Sequence, residues 1–165
     1  MSGPFNTVFR PIAEFLAHPM KRCLLIIGIL FMVAIIDFFF LGVARKTFVF
    51  YTIKEGVIAV EDRMLKHSGS REEDITRYAE ETLLGPVSPD LLPLFPRGTK
   101  LRSLLYRNGV VYADLSVSAA LAPAEGGSAI VNFRTFYDSI LRNFSYVKDV
   151  RFFIDGTAVF TGEFH

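Results

Sequence analysis

The stretch CLLIIGILFMVAIIDFFFLGVA, from Cys23 to Ala44, decides the class of this 165-residue protein, because Asp37 is its only charged residue. A helix of this length is about 33 Å long, which matches the thickness of the hydrocarbon core of a bilayer. The basic pairs Lys21-Arg22 and Arg45-Lys46 flank the stretch on both sides. We therefore predict a transmembrane helix and exclude a soluble cytosolic protein.

Composition excludes two further classes of protein. The chain is 51% apolar with a mean hydropathy of +0.35, and it has 17 Phe and no Trp. A polytopic transporter or channel needs several long apolar runs, and the sequence has no second one. Of the 18 basic and 17 acidic residues, three and two respectively precede residue 45, so residues 45–165 carry no net charge. A nucleic-acid-binding domain is expected to be basic, so we expect no nucleic-acid partner.

The apolar stretch fits an uncleaved signal anchor better than a cleaved signal peptide. The apolar core of a signal peptide spans about 7–15 residues behind a short basic segment, whereas here the core is longer and 20 residues precede Lys21. We expect a cytoplasmic arm over residues 1–20, a transmembrane anchor over 21–44 and an extracytoplasmic domain over 45–165. On this prediction the protein spans a membrane once, and the flanking charges favour a cytoplasmic N-terminus only slightly, through Arg10.

Two features near the anchor have open interpretations. In the arm, Phe5 to Leu16 places apolar residues at helical spacing, which predicts either an interfacial amphipathic helix or a partly ordered tail. Asp37 is a candidate contact for a partner helix in the membrane, since a charge in hydrocarbon is costly. The simpler interpretation, which we favour, is that Asp37 reaches water at the outer interface or is protonated.

The rest of the chain alternates strand and helix patterns. Ser70 with Glu73 forms a capping box before an amphipathic helix that Gly85-Pro86 ends. Asn108-Gly109 is a strong hairpin signal between two strand patterns. Ser128 is expected to cap the second helix. The predicted strands are Thr47–Ile53, Val57–Arg63, Lys100–Arg107, Val110–Leu115, Val150–Ile154 and Thr157–Phe160.

This order, ββαββαββ, predicts an α+β sandwich with two helices on one face of an antiparallel or mixed sheet. The apolar, proline-rich loop from Val87 to Gly98 is expected to pack onto the domain. Thr47–Ile53 and Thr157–Phe160 are candidate edge strands for pairing with a partner.

The sequence lacks the common catalytic and metal-binding motifs. It contains no GxSxG, HExxH, GxGxxG or GxxxxGK[ST] pattern. His67 is the only histidine inside the domain and Cys23 lies in the predicted anchor, so we expect neither a metal nor a cofactor. The acidic run Glu72-Glu73-Asp74 suits the first turn of a helix, and Gly126-Gly127-Ser128 suits a turn and cap.

Four residues of the domain are candidate contacts. Asp114 and Asp155 each follow a strand; as an acid–base pair they would need one shared cleft, and as turn residues they need none. We favour the turn roles. Tyr106 and Tyr112, on neighbouring hairpin strands, are candidates for stacking on a glycan or for contact with a partner, and are equally suited to core or cross-strand packing.

Several phrases together resemble the GerMN domain of sporulation and germination proteins. The resemblance covers about Thr47 to Phe160. It is carried, in order, by FVFYTIKEG, VEDRML, EETLLGP, FPRGTKLRSL, VVYADLS, GGS and VKDVRFFIDG.

The resemblance implies an extracytoplasmic, membrane-tethered domain without enzyme activity, similar to the ring-building α+β modules of envelope-spanning assemblies. The expected function is therefore that of a non-catalytic assembly or scaffold protein of a bacterial cell envelope, acting through protein–protein contacts with other envelope proteins or with copies of itself. The alternative is a module that binds peptidoglycan or another wall glycan.

Overall fold

The computed structural model describes residues 19–40, 42–53, 57–121, 128–160 and Phe164, with the side chains of residues 37–40 excepted. The predicted interfacial helix and the side chain of Asp37 lie outside this description, as does Gly126-Gly127. The described chain divides into two compact units, Met1–Gly42 and Val43–His165. The elements are α1 (Pro19–Phe40), β1 (Val43–Thr52), β2 (Ile58–Lys66), α2 (Arg71–Leu84), β3 (Leu91–Leu92), β4 (Leu101–Arg107), β5 (Val110–Leu115), a 3-10 helix (Val117–Ala120), α3 (Ala129–Asn143), β6 (Asp149–Ile154) and β7 (Thr157–Val159).

The first unit contains α1, which has the predicted length but lies four residues nearer the N-terminus. It is the one helix among the described residues that is long and apolar enough to cross a membrane. Pro19 suits a first helical position because a missing N–H costs nothing there. Val43 and Ala44, which we predicted in the helix, are the first residues of β1. The β-branched and aromatic residues that follow them explain why the extended conformation begins so early.

The second unit has the predicted α+β class, but its strands form two sheets. One sheet has the order β2-β1-β3 and the other β4-β5-β6-β7. In the second sheet β5 and β6 are parallel, joined through α3, while the other pairs are antiparallel. β1 lies between β2 and β3, so the prediction that Thr47–Ile53 is an edge strand is wrong. β7 is a terminal strand, as predicted.

Local signals placed the hairpin turns and the first helix cap correctly. Asn108 and Gly109 have φ values of 52° and 86°, and the turn at Asp155-Gly156 has the same left-handed form. Ser70 Oγ accepts a hydrogen bond from the N–H of Glu73, as a capping box requires. Ser128 occupies the N-cap position of α3, as predicted, but its side chain makes no cap hydrogen bond. The predicted position is therefore right and the predicted capping interaction is wrong.

Aromatic rings fill the core between the sheets and helices. The ring of Tyr78 on α2 stacks 4.6 Å from Phe48 of β1 and meets Phe144 edge-on at 5.5 Å. Phe133 of α3 contacts both Phe95 and Phe152. Phe95 and Leu94 are buried, which confirms that the proline-rich loop packs onto the domain. The phenylalanine excess of the sequence is therefore partly a property of this core.

Asn143, the last residue of α3, hydrogen-bonds both backbone groups of Thr47 in β1. Its Oδ1 accepts from the Thr47 N–H at 2.9 Å, and its Nδ2 donates to the Thr47 carbonyl at 2.7 Å. Nδ2 also lies 3.1 Å from the hydroxyl of Tyr78. A side-chain amide thus replaces a neighbouring strand at this point of β1.

Replacing Asn143 with Ala removes the acceptor of the Thr47 N–H, while the Tyr78 hydroxyl still donates to the Thr47 carbonyl, so we expect a loss of about 1–3 kcal/mol in the free energy of unfolding. Guanidinium denaturation of the full chain in mild detergent measures this loss. Asp138→Ala is the control, because Asp138 is an exposed residue of the same helix in a surface ion pair with Arg134; it should change stability by less than about 0.5 kcal/mol. Equal effects of the two substitutions would contradict the bridging role.

A second polar network joins β2 to the end of α2. The guanidinium of Arg63 contacts the carboxylates of Glu61 at 2.6 Å and Glu81 at 3.0 Å, and it donates to the Gly85 carbonyl. Glu61 also accepts hydrogen bonds from the N–H groups of Val87 and Ser88. Burial alone would raise the pKa of the Glu61 carboxyl, but the hydrogen bonds from Arg63 and the two N–H groups outweigh it and hold the pKa below its usual value.

Because the folded-state pKa of Glu61 is depressed, its contribution to stability is present above the unfolded pKa of about 4.3 and is lost as the pH falls through the folded value. We expect Glu61→Gln to lower the free energy of unfolding by about 1–2 kcal/mol at pH 7, and we expect this difference to shrink as the pH falls below about 4.3. Denaturation curves collected across that range measure the slope. Glu80→Gln, at an exposed position of α2, should leave the slope unchanged; the same slope in both variants would rule out this role for Glu61.

Candidate binding site

The outer face of the four-stranded sheet carries an aromatic surface. The core face of β5 and β6 holds buried residues such as Val111 and Phe152, so the alternate residues point outward. The strand register places Leu105 opposite Tyr112, Tyr112 opposite Arg151, and Asp114 opposite Phe153. We call Leu105, Tyr112, Arg151 and Phe153 the outer platform.

The outer platform presents a ring pair beside a cation. The ring centroids of Tyr112 and Phe153 are 6.5 Å apart, with a 36° angle between the ring planes. The guanidinium carbon of Arg151 lies 5.8 Å from the centroid of Tyr112, close enough for a cation–π interaction. Such a surface can stack on a sugar ring or on a partner's side chain.

A cleft of about 330 Å³ adjoins the outer platform at the edge of β6. Tyr112, Arg151 and Phe153 line one part of it, and Tyr137, Asp149 and Phe160 line another. β7 pairs with β6 only from Phe152 to Ile154, so the cleft lies beside the part of β6 that β7 does not cover. The size is at the lower end of the range for small-molecule sites.

Asp149 supplies the carboxylate of the cleft. Its Oδ1 accepts from the Val150 N–H at 2.8 Å, and its Oδ2 lies 3.3 Å from Nε of Arg151. The Tyr137 hydroxyl is 3.5 Å from Oδ1. Burial, together with the charge of Asp149, raises the pKa of the Tyr137 hydroxyl, so this phenol stays protonated at neutral pH. The cleft therefore offers a hydroxyl and a compensated carboxylate between aromatic walls.

The two candidate tyrosines lie on opposite faces of the β4–β5 hairpin. Tyr106 pairs with Val111 and Leu105 pairs with Tyr112, and adjacent pairs point to opposite sides of a sheet. Tyr106 is half-buried, and its hydroxyl donates to the Tyr146 carbonyl at 3.1 Å. Of the two candidate tyrosines, only Tyr112 belongs to the outer platform, so the two rings do not form one stacking surface.

Asp114 and Asp155 do come together, at the end of the sheet where β6 turns into β7. Arg102 joins them: its Nε lies 3.6 Å from Oδ2 of Asp114, and its Nη1 contacts Oδ1 of Asp155. Asp114 Oδ1 also accepts from the Gly156 N–H at 3.0 Å. Both carboxylates are thus held by a cation or a turn, an arrangement that supports the turn roles we favoured from the sequence.

The acidic run at the start of α2 is also tied to the fold. Glu72 accepts a hydrogen bond from the Tyr106 N–H at 2.8 Å, and Asp74 accepts from the Ser68 N–H at 2.7 Å and contacts His67. Among the residues that the structure describes, no three His, Cys, Asp or Glu side chains group in a way that could hold a metal ion.

Three residues of these two sites were not predicted from the sequence: Arg102, Arg151 and Phe153. The alternation in Val150–Ile154 carried a signal for the last two, because every second residue of a strand lies on the same face. What the sequence did not contain was the parallel pairing of β6 with β5, which brings Phe153 and Arg151 beside Tyr112 and Asp114.

Comparison with known protein families finds a match to the family described as "Germane: Sporulation and spore germination", over residues 48–160. The chain belongs to the Germane family. The resemblance to the GerMN domain seen in the sequence is thereby confirmed, over nearly the same range.

Solved structures of Germane domains share the fold of residues 43–165. The tandem GerMN domains of the sporulation protein GerM from Bacillus subtilis match with a TM-score of 0.52 and 20% identity, covering 70% of this chain and 40% of that one. The first GerMN domain of the same protein matches with a TM-score of 0.52 and 16% identity, covering 68% and 85%. The present chain thus spans well under half of the tandem structure. No curated protein matches it.

Proposed function

We propose that this Germane-domain protein is a non-catalytic assembly protein of a bacterial cell envelope. In this proposal α1 is an uncleaved signal anchor in the inner membrane, the N-terminus is cytoplasmic, and the domain from β1 onward contacts other envelope proteins or further copies of itself outside the cytoplasm. The observation that carries the proposal is the long open edge of β2.

The anchor is supported by the dimensions and composition of α1. Its 22 residues give a length of about 33 Å, enough for one bilayer crossing. No residue of its apolar window, Pro19–Ile36, is buried within the chain. An apolar helix exposed in this way requires a lipid or protein environment, because water would contact every face.

The contact surface is supported by the hydrogen-bonding pattern of β2. The Thr52 N–H donates to the Val57 carbonyl, so alternate residues from Ala59 onward bond to β1. The intervening residues, beginning with Ile58 and Val60, direct their N–H and C=O groups away from β1. Among the described strands, β2 has no neighbour but β1. An edge of nine residues with exposed apolar side chains is a template for pairing with a partner strand.

Val60→Lys should weaken this contact, because a charge at the centre of a strand edge opposes pairing and burial. We expect at least a tenfold loss of the partner captured when the full chain is crosslinked in cells and purified in mild detergent. Val117→Lys is the matched control, since both side chains are 59% exposed; it should leave capture unchanged.

Two results would contradict the assembly proposal. One is a chain that purifies without any crosslinked protein, a second copy of itself included. The other is an equal loss of capture in both lysine variants, which would place the contact away from β2.

The absence of enzyme activity is part of the proposal. Asp114 and Asp155 are the carboxylates best placed for acid–base chemistry, and both are engaged by Arg102. A general acid or base needs a pKa matched to its reaction and access to the proton it transfers. The engagement of these two groups supports a role in holding the β6–β7 turn.

The outer platform favours a second candidate function, the binding of peptidoglycan or another wall glycan. The Tyr112–Phe153 ring pair and the neighbouring hydroxyl of Tyr137 provide an apolar face and a hydrogen-bonding group for a sugar.

Sedimentation of the detergent-solubilised chain with purified wall sacculi tests the glycan function. If the platform binds glycan, Tyr112→Ala should reduce the pelleted fraction by about tenfold, as expected for loss of an aromatic anchor. Tyr112→Phe keeps the ring and should retain most of the binding. An unaltered chain that stays in the supernatant would eliminate this function and leave the assembly proposal standing.

A further inference from the structure

Four exposed side chains form an apolar and cationic patch at the open end of the β1–β2 hairpin. This end of the hairpin follows α1 directly in the sequence. Val43 lies opposite Lys66, and Arg45 lies opposite Met64, so all four point to the same side of the sheet. Each is exposed to solvent. We call these four residues the hairpin base. Its apolar and cationic side chains alternate diagonally across the two strands.

The hairpin base itself carries a net positive charge. Arg45 contacts Asp62, which also accepts a hydrogen bond from the Thr47 hydroxyl. Arg77 adds a cation at the end of β2, where its Nη1 donates to the Lys66 carbonyl at 3.0 Å. The four residues of the hairpin base thus include two cations, Arg45 and Lys66, and no carboxylate, and the Arg45 side chain remains 72% exposed beside Asp62.

Chain length restricts where the hairpin base can lie. Only Leu41 and Gly42 separate the last residue of α1 from Val43. Three peptide steps reach about 11 Å at most. If α1 crosses a membrane, as proposed above, the start of β1 is therefore tethered within about 11 Å of the end of the membrane helix, a distance of about one to two headgroup layers.

We propose that the hairpin base binds the surface of an anionic lipid bilayer. Arg45 and Lys66 contact the phosphate groups of the lipid, and Val43 and Met64 enter the boundary between headgroups and acyl chains. Cationic side chains beside apolar ones are the composition that an anionic interface accommodates. The inference rests on the proposed anchor, and it adds a second attachment that holds the domain in one orientation.

The test uses the full chain with Cys23→Ala, carrying an environment-sensitive fluorophore on Met64→Cys. The protein is reconstituted into nanodiscs of phosphatidylcholine alone or with 30% phosphatidylglycerol, with or without a spin-labelled lipid that quenches fluorescence in the headgroup region. Val60→Cys is the matched control: Val60 is 59% exposed against 65% for Met64, points to the same side of β2, and lies about 13 Å farther along the strand.

We expect quenching at position 64 to exceed quenching at position 60 by at least about twofold in the anionic nanodiscs, and to fall in neutral lipid and in 0.5 M salt, as for any surface attraction screened by ions. Arg45→Gln with Lys66→Gln should produce the same fall. Equal quenching at the two positions overturns the inference. The inference is also overturned if quenching at position 64 does not change with lipid charge, with salt or with the double substitution.

Flotation of the same nanodiscs separates this inference from the proposed function. If the chain floats with the lipid and quenching is equal at both positions, the anchor stands and the lipid contact is refuted. If the chain does not associate with the nanodiscs, both the anchor and the lipid contact are refuted. If the Met64 probe is shielded only in crosslinked complexes, the hairpin base binds protein and the lipid contact is again refuted.

Discussion

The arrangement of the domain depends on the hydrogen bonds that the side chain of Asn143 makes. It fills the place of a neighbouring strand at Thr47 of β1, and through the hydroxyl of Tyr78 it reaches α2 as well. Lys46 adds to the same junction, with Nζ donating to the Asn143 carbonyl at 2.8 Å over the ring of Phe144. Burial lowers the pKa of Lys46, since a dry site disfavours its charged form.

The hydrogen bonds between the Asn143 side chain and Thr47 help to explain why the strands form two sheets. β1 pairs with β3 only at Tyr51 and Thr52, and at Thr47 the same edge faces the end of α3. A helix at that position excludes a further strand, because both backbone groups of Thr47 are already bonded. The second sheet then forms around β5 and β6, whose parallel pairing requires a crossover connection, and α3 lies within it.

Local features of the fold were therefore predictable from the sequence, and long-range pairings were not. The Asn108-Gly109 turn, the Ser70 cap and the strand β5 follow from interactions within a few residues, and each was predicted at its observed position. The division into two sheets depends on contacts such as Asn143 with Thr47, which are 96 residues apart. Nothing in the residues around Asn143 distinguishes it from an ordinary asparagine near a helix end.

The candidate site followed the same rule. Tyr112, Asp114 and Asp155 were singled out by residue type and position in their strands, and the structure brings Asp114 and Asp155 together. The pairing of Arg102 with these carboxylates depends on the strand register, which the sequence did not reveal. The same register places Tyr106 on the face of the sheet opposite to Tyr112.

The distribution of polar groups explains why contact surfaces, more than chemistry, account for this domain. Glu61 with Arg63, Asp114 with Arg102, and Glu72 with the backbone of Tyr106 each join separate elements of the fold. A carboxylate held in this way stabilises the fold. The described features that face outward are of other kinds: the backbone edge of β2, the rings of the outer platform, and the apolar and cationic side chains of the hairpin base. Strand edges, aromatic faces and amphipathic patches are surfaces that can recognise strands, rings and interfaces, which is the physical basis of the proposed attachment and assembly.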